Sequence, residues 1–275
     1  MFNFTPQMSP LQMPDQTKDI LILVKTYPEI SAKYTETVCI AGILADSRRF
    51  VRLYPLPYRY LDENLRFKKY QWINTKISKA FSDPRPESHT VYPDTLETGE
   101  LIGTKDEWNE RIKWVLNPET QFTSVEELSI AQQKEGTSLG IVRPKRIIDF
   151  KIEAKSGEEK AQAERKKQSI LSQSRLFDKP KDLELIPYRF MVKFKCDHPD
   201  CKTHKMGILD WEFGELYRKL RGNEKWEEKI SNKFWEICSS DREPYLILGN
   251  LRLHPTKFCI LGLIAPPRRR QLSLF

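Results

Sequence analysis

The sequence predicts an α+β protein, with an antiparallel sheet or small barrel in the N-terminal lobe and a mixed strand and helix C-terminal lobe carrying a Cys/His loop. Two patterns carry that prediction. β-rich apolar runs crowd the early part of the chain, and helical and strand periodicities alternate through the rest. A third feature, a run of cysteines and histidines directly after a strand, marks the later lobe. With 275 residues, 39% of them hydrophobic, the chain can bury a substantial core without covalent staples.

The first strand is read from Asp19 to Thr26 (DILILVKT), followed by Glu36 to Leu44 and Arg49 to Tyr54. The polar Ala45-Asp46-Ser47-Arg48 connection reads as a hairpin turn. A strand from Tyr70 to Ser78 leads into a loop, Asp83 to Ser88, whose prolines exclude regular structure. Helical spacing returns between Lys105 and Leu116 and between Ser124 and Gln133, where Ser124 and Glu127 have the spacing of a capping box. Strands follow at Ser138 to Val142 and Ile147 to Ile152. Ser156 to Gln173 is polar nearly all round, as in a solvated helix bridging two lobes. In the later lobe, Phe190, Val192 and Phe194 alternate with Met191, Lys193 and Lys195, which describes a strand with one wet face. Helices at Trp211 to Leu220 and Lys225 to Cys238, and a hairpin from Tyr245 to Leu253 and Phe258 to Ile264, complete it.

The expected organisation is an irregular arm at 1–18, a β-rich lobe at 19–155, a polar helix and linker at 156–182, an α+β lobe at 183–265 and a tail at 266–275. The longest apolar runs, Ile20 to Val24 and Phe258 to Ala265, fall far short of the roughly 20 residues that cross a bilayer. No membrane span is expected, and the N-terminus lacks the basic start and apolar core of a signal peptide. The reading is a cytoplasmic, nucleoid-associated protein. Five cysteines, two of them (Cys39 and Cys259) inside apolar strands, argue for reduced thiols over a disulfide framework.

Lys and Arg outnumber Asp and Glu by 46 to 38, a net charge of +8 that favours an anionic partner such as DNA. A small basic excess also serves simply to solvate a surface. Arg49, Arg52, Arg59, Lys68 and Lys69 interleave with Tyr54, Tyr58, Tyr60, Phe67, Tyr70 and Trp72, the composition of a surface that neutralises phosphates and stacks bases. With Arg85, Arg268, Arg269 and Arg270 these cations are the candidate nucleic-acid contacts.

Cys196-Asp197-His198-Pro199-Asp200-Cys201-Lys202-Thr203-His204 is the candidate metal loop. Cys196, Cys201 and His204 are spaced so that one loop can grip Zn²⁺, with His198 as a local fourth ligand or Cys238 approaching from the late helix. A polar turn is the competing reading. Asp149, Glu153 and Lys155 form D-x-x-x-E-x-K, which resembles part of the metal-dependent nuclease pattern, in which two acids hold Mg²⁺ and a lysine assists water. Surface charge is the blander account of those three. Asp210 and Glu212 are further catalytic candidates, and Asp210 is equally placed as a helix N-cap.

The last five residues, Gln271-Leu272-Ser273-Leu274-Phe275, resemble the peptide by which bacterial polymerases, mismatch-repair proteins and replication regulators dock on the sliding clamp. All five positions match the Gln-Leu-(Ser or Asp)-Leu-Phe pattern. The resemblance implies that the Gln271 amide bonds at the rim of a groove, Leu272 anchors the middle, and Leu274 with Phe275 fills an apolar pocket. Pro266-Pro267 and the three arginines that follow stiffen and solvate the exit. The strand ending Arg52-Leu53-Tyr54-Pro55 and the later Cys/His loop also resemble those of bacterial proteins of unassigned function. The expected function is a DNA-binding accessory protein recruited to the sliding clamp, acting in replication, repair, mobile-element biology or anti-phage defence. The alternatives are a Mg²⁺-dependent nuclease delivered by the same tail, and an RNA-binding module.

Overall fold

The computed structural model describes residues 15–31, 35–173 and 183–268. The α+β expectation holds, and the N-terminal lobe is a closed barrel. Strands β1 (Gln16–Lys25), β3 (Thr35–Leu44), β4 (Phe50–Leu56), β6 (Ser88–Val91) and β5 (Gln71–Lys79) follow one another around it, and β5 returns to pair with β1. Every barrel pairing is antiparallel except β4 with β6. Counting only these five in chain order, the path is 1-2-3-5-4-1 with the 3–5 pair parallel, which is the topology of an OB-type barrel. Two short strands, β2 (Glu29–Ser31) and β7 (Glu97–Leu101), extend β3 and β5. Because Gln16, Thr17 and Lys18 already pair with Ile77, Lys76 and Thr75, the expected irregular arm ends sooner than residue 18.

The second sheet runs in the order β10 (Arg146–Ala154), β11 (Tyr188–Lys195), β12 (His204–Ile208), β14 (His254–Ile264), β13 (Tyr245–Leu251), β9 (Leu139–Val142), β8 (Gln121–Phe122). Helix α1 (Asn109–Val115) lies between the two sheets in sequence, and α2 (Val125–Glu135), α3 (Gly157–Gln173), α4 (Trp211–Leu220) and α5 (Trp226–Ile237) belong to the second lobe. The polar helix α3 does not separate the sheets. β10 before it and β11 after it are antiparallel neighbours, so the chain changes sheet between Leu101 and Gln121 instead.

Period-two alternation explains how the layers stack. On β1, Ile20 and Ile22 point into the barrel, while Leu21 and Leu23 point out into a second core shared with Leu139, Ile141, Ile247 and Leu261 of the sheet. That double burial is why the run reads DILILV without polar breaks. On its far face the sheet packs Phe190, Val192, Leu246 and Leu248 against Phe213, Tyr217, Ile230 and Phe234 of α4 and α5. The molecule is therefore barrel, sheet and helices in three layers, and each buried Leu, Ile or Phe contributes about 1.5 to 3 kcal/mol. At Gly214 of α4 a Cβ would stand 2.1 Å from the Tyr27 ring, so only glycine lets this helix reach the barrel's rim.

Polar groups also tie barrel to sheet. Lys69 Nζ donates to the Leu263 carbonyl at 3.0 Å and lies 3.6 Å from Asp210 Oδ2. Burial opposes its charge, but the Asp210 carboxylate more than compensates and holds Lys69 above the ordinary lysine range. Lys25 is different. Its ammonium donates to Tyr58 Oη at 3.0 Å and to the Phe67 carbonyl at 3.1 Å, 4.5 Å over the Tyr58 ring, and burial pulls its pKa down to about 8. Between that value and the ordinary 10.5 the unfolded chain binds the proton more tightly than the folded one, so this group adds stability as pH rises. The stability of the parent minus that of Lys25→Met should therefore increase by about 2 to 3 kcal/mol between pH 8 and 10.5. Denaturant titrations across that range check it; a constant difference would mean that Lys25 ionises normally.

Candidate nucleic-acid interface and metal centre

The barrel's outer face opens over β3 and β4. Along β4, Val51 and Leu53 point into the barrel, which turns Arg52 and Tyr54 outward into a cleft of about 400 Å³ between barrel and second sheet. Cys39 lies on the adjacent strand, Asn250 and Tyr188 line the opposite side, and Lys155 with Lys166 of α3 stands along it. Tyr54 is 41% exposed. Arg52 is 3% exposed and held in place, its guanidinium donating to Cys39 Sγ at 3.2 Å and to the Ser138 carbonyl and hydroxyl at 3.2 and 3.3 Å. Ser138 in turn donates from its N–H and hydroxyl to the Glu87 carboxylate, both at 2.8 Å, which relays a balancing charge to the arginine. Arg52 thus gives the cleft a fixed positive floor instead of reaching out from the surface.

The structure sorts the other expected cations. Arg49 and Lys68 are exposed, although Arg49 approaches Glu119 at 3.3 Å. Arg59, Lys69 and Arg85 turn inward to carboxylates: Arg59 to Glu36 at 2.7 Å, Lys69 to Asp210, and Arg85 to Asp83 at 2.6 Å. Burial acts to raise Asp83, but the Arg85 guanidinium and Ser88 hydroxyl bring it down to about 2. Arg85 also donates to the Asn250 carbonyl at 2.9 Å, so the Pro-rich loop is fastened to β13 and this arginine is a tether. Arg268 is exposed, while Arg269, Arg270 and the clamp-type residues Gln271, Leu272, Leu274 and Phe275 lie outside the described residues.

The nuclease pattern is not assembled. Asp149 and Glu153 sit on one strand, roughly 13 Å apart at about 3.3 Å per residue, and their nearest charges are Lys151 at 3.3 Å and Lys205 at 2.7 Å respectively. One Mg²⁺ with ligands at about 2.1 Å cannot bridge that span. Asp210 is the N-cap of α4, accepting the Glu212 N–H at 2.8 Å, and Lys155 faces the cleft.

The Cys/His loop does converge. The side-chain donors of Glu126, Cys196, Cys201 and His204 lie within 4.8 Å of one another. β11 ends at Lys195, one residue before Cys196, and β12 begins at His204, so pairing of the two strands brings both ends of the loop together. Within the turn, the Cys196 N–H donates to Cys201 Sγ at 3.2 Å, and Cys201 Sγ is 3.4 Å from His204 Nε2. Thr203 has a φ of 135°, a costly conformation for a β-branched residue that the turn retains to present His204. The fourth donor comes from elsewhere in the chain. Ser124 caps α2, accepting the Glu127 N–H, and this places Glu126 in the first turn with Oε1 3.0 Å from His204 Nε2.

Two of these observations fit a metal ion. Tetrahedral zinc with ligands at about 2.0 to 2.3 Å requires donors about 3.3 to 3.8 Å apart, close to the spacing found. Glu126 Oε2 is buried without a hydrogen-bond partner among the described residues, as an oxygen reserved for a cation would be. Burial pushes the Cys196 thiol up to about 12, opposed by the Val125 N–H at the positive end of α2. His198 is not part of the cluster; its Nδ1 accepts the Asp200 N–H at 3.3 Å. Cys238 is not either, being half-buried at the end of α5. Glu126 replaces both, and the sequence marked only the capping box beside it.

Fold and site define a class: an OB-type barrel fused to a helix-backed mixed sheet with a Cys₂-His-Glu cluster at one sheet turn. The chain belongs to the family described as Domain of unknown function (DUF8757), whose model matches residues 121–275. A second model, Domain of unknown function (DUF8758), matches residues 16–117, and the two matches divide where the chain passes from barrel to sheet. No curated protein matches the chain. Similar solved structures include a murine DNA-binding protein bound to double-stranded DNA, at 11% identity and a TM-score of 0.29, covering 92% of this chain and 97% of that one. Another is a replication protein A heterotrimer bound to single-stranded DNA, at 11% identity and a TM-score of 0.23, covering 93% of this chain and 66% of that one. No helix among the described residues is long and apolar enough to cross a membrane.

Proposed function

We propose that this is a DNA-binding accessory protein that takes single-stranded DNA across the β3–β4 face of its barrel and is recruited to the bacterial sliding clamp by Gln271 to Phe275. The observation that carries the binding reading is the cleft over β3 and β4, where Tyr54 offers a stacking surface above a positive floor at Arg52 and beside Lys155 and Lys166. That combination suits a strand whose bases stack and whose phosphates need neutralising, and this face is the one OB barrels use for oligonucleotides. The clamp reading rests on the pentapeptide alone. Its setting would be replication or repair, or a mobile-element or anti-phage system acting at the same sites.

Cys196, Cys201, His204 and Glu126 would hold one structural zinc ion, which supplies folding energy by fastening the start of α2 to the β11–β12 turn. Four protein donors leave no open position for a substrate, so the role assigned is structural.

Tyr54→Ala should weaken binding of a short single-stranded DNA by about fivefold to 150-fold, since base stacking on an aromatic side chain is worth about 1 to 3 kcal/mol. Lys166→Ala should lower the salt sensitivity of binding, because Lys166 is exposed on the cleft's wall. Fluorescence anisotropy with matched DNA and RNA oligonucleotides reads both effects and separates DNA from RNA as the ligand. Unchanged affinity in both variants would place the binding surface elsewhere.

A further inference from the structure

A second groove, of about 520 Å³, lies in the C-terminal lobe and shares no lining residue with the barrel cleft. It runs between the β9–β10 turn, which supplies Arg143 and Lys145, the first residue of β10, Arg146, and the segment after α5, which supplies Arg242; Arg268 borders it from the chain's exit. We propose that this groove is a second DNA contact, gripping the phosphodiester backbone beside the root of the C-terminal tail. The inference goes beyond the barrel reading and shares with it only the premise that DNA is the ligand.

Charge is the first support. Five cationic side chains line the groove against two acids, Asp197 and Glu243. Both acids are engaged in exposed pairs, Lys145 with Asp197 at 2.7 Å and Arg143 with Glu243 at 3.3 Å, and such pairs exchange readily for a phosphate because solvent screens them. Arg146 and Arg268 are exposed and their side chains have no hydrogen-bond or ion-pair partner among the described residues. Arg242 is already aimed, its guanidinium fixed by the Ala265 carbonyl at 2.9 Å. The negative end of the α5 dipole opens nearby, but about half a charge does not offset an excess of three.

Placement is the second support. The exit from β14 is built into the groove's wall: the Glu243 N–H donates to the Pro266 carbonyl at 2.9 Å, Arg242 forms a β-bridge with Pro267, and the Arg268 N–H donates to the Asp241 carbonyl at 2.7 Å. The groove is thereby fixed next to the point from which the sequence continues into Arg269, Arg270 and the clamp-type peptide. Trp235, 39% exposed, forms part of the wall and is a surface on which an unpaired base can stack.

The test is a double charge reversal, Arg146→Glu with Arg268→Glu, in the full chain. Neither side chain holds the fold together, and thermal unfolding should match the parent. Affinity for single-stranded and duplex oligonucleotides of equal length is measured across a salt series. Losing two phosphate contacts should reduce the slope of log affinity against log salt by about 1.8 on duplex DNA, or about 1.4 on single strands, with at least a tenfold loss at low salt. Loss on duplex alone identifies a duplex track; loss on single strands, repeated by Trp235→Ala, identifies a stacked single strand. A slope and affinity unchanged from the parent on both ligands overturns the groove, and if Tyr54→Ala still weakens binding, the barrel reading survives. A parent protein that binds neither oligonucleotide overturns both.

Discussion

Replacing Leu274 and Phe275 together by Ala is expected to weaken binding to a bacterial sliding clamp by about two to four orders of magnitude. Short peptides in apolar grooves concentrate their free energy in a few anchors, and burying each of these side chains is worth about 1.5 to 3 kcal/mol. Deleting Gln271 to Phe275 should abolish clamp binding while leaving thermal stability and DNA affinity at parental values. Ser273→Ala should change little, because the clamp-peptide pattern accepts either Ser or Asp there. Calorimetry decides it: a double variant that binds within about threefold of the parent would show that the tail is not the docking element.

The next largest effect should follow loss of the metal. Protein purified without chelator should contain about one zinc per chain, and removing it should destabilise the fold by about 4 kcal/mol if the ion is present at a thousandfold excess over its Kd. That corresponds to a fall in Tm on the order of ten degrees for a protein of this size class. Cys201→Ser should reproduce the loss and make the protein indifferent to chelator. Glu126→Gln, which keeps the size and removes the charge, should weaken zinc retention, whereas His198→Ala and Cys238→Ser should not. Metal analysis with thermal unfolding reads all of these. Absence of zinc together with unaltered stability of Cys201→Ser would leave the four residues as a polar turn packed against α2.

Periodicity made most strands and helices legible, because β1, β3, β4, β11 and β13 carry their burial in their spelling. The short strands β2, β6, β7, β8 and β12 were not read from the sequence, and two of them, β6 and β12, were hidden for opposite reasons. β6 (Ser88–Val91) is short and polar, and it is a barrel strand only because β4 and β5 offer it edges on both sides. β12 (His204–Ile208) begins on a candidate metal ligand, so its first residue read as loop chemistry. Without β6 the sequence leaves open whether the N-terminal strands form a sheet or a barrel; with it the closure follows. The candidate metal loop was legible as far as its local donors. Glu126 was not, since an acid in a helix's first turn ordinarily serves the helix dipole and 70 residues separate it from Cys196. Charge patterning likewise gives sign but not direction: Arg59, Lys69 and Arg85 look like phosphate contacts in sequence, and only the fold turns them toward Glu36, Asp210 and Asp83.

The barrel cleft and its proposed strand are the centre of the account, and a titration of the unmodified full chain against a labelled single-stranded DNA over a range of salt concentrations tests them most directly. Saturable binding is expected at low salt, weakening on a log–log line with a slope of about −0.7 for each phosphate neutralised, together with a loss of about fivefold or more in Tyr54→Ala at every salt concentration, because stacking does not depend on counterions. No saturable binding at low salt, or binding that ignores both salt and Tyr54, would contradict it.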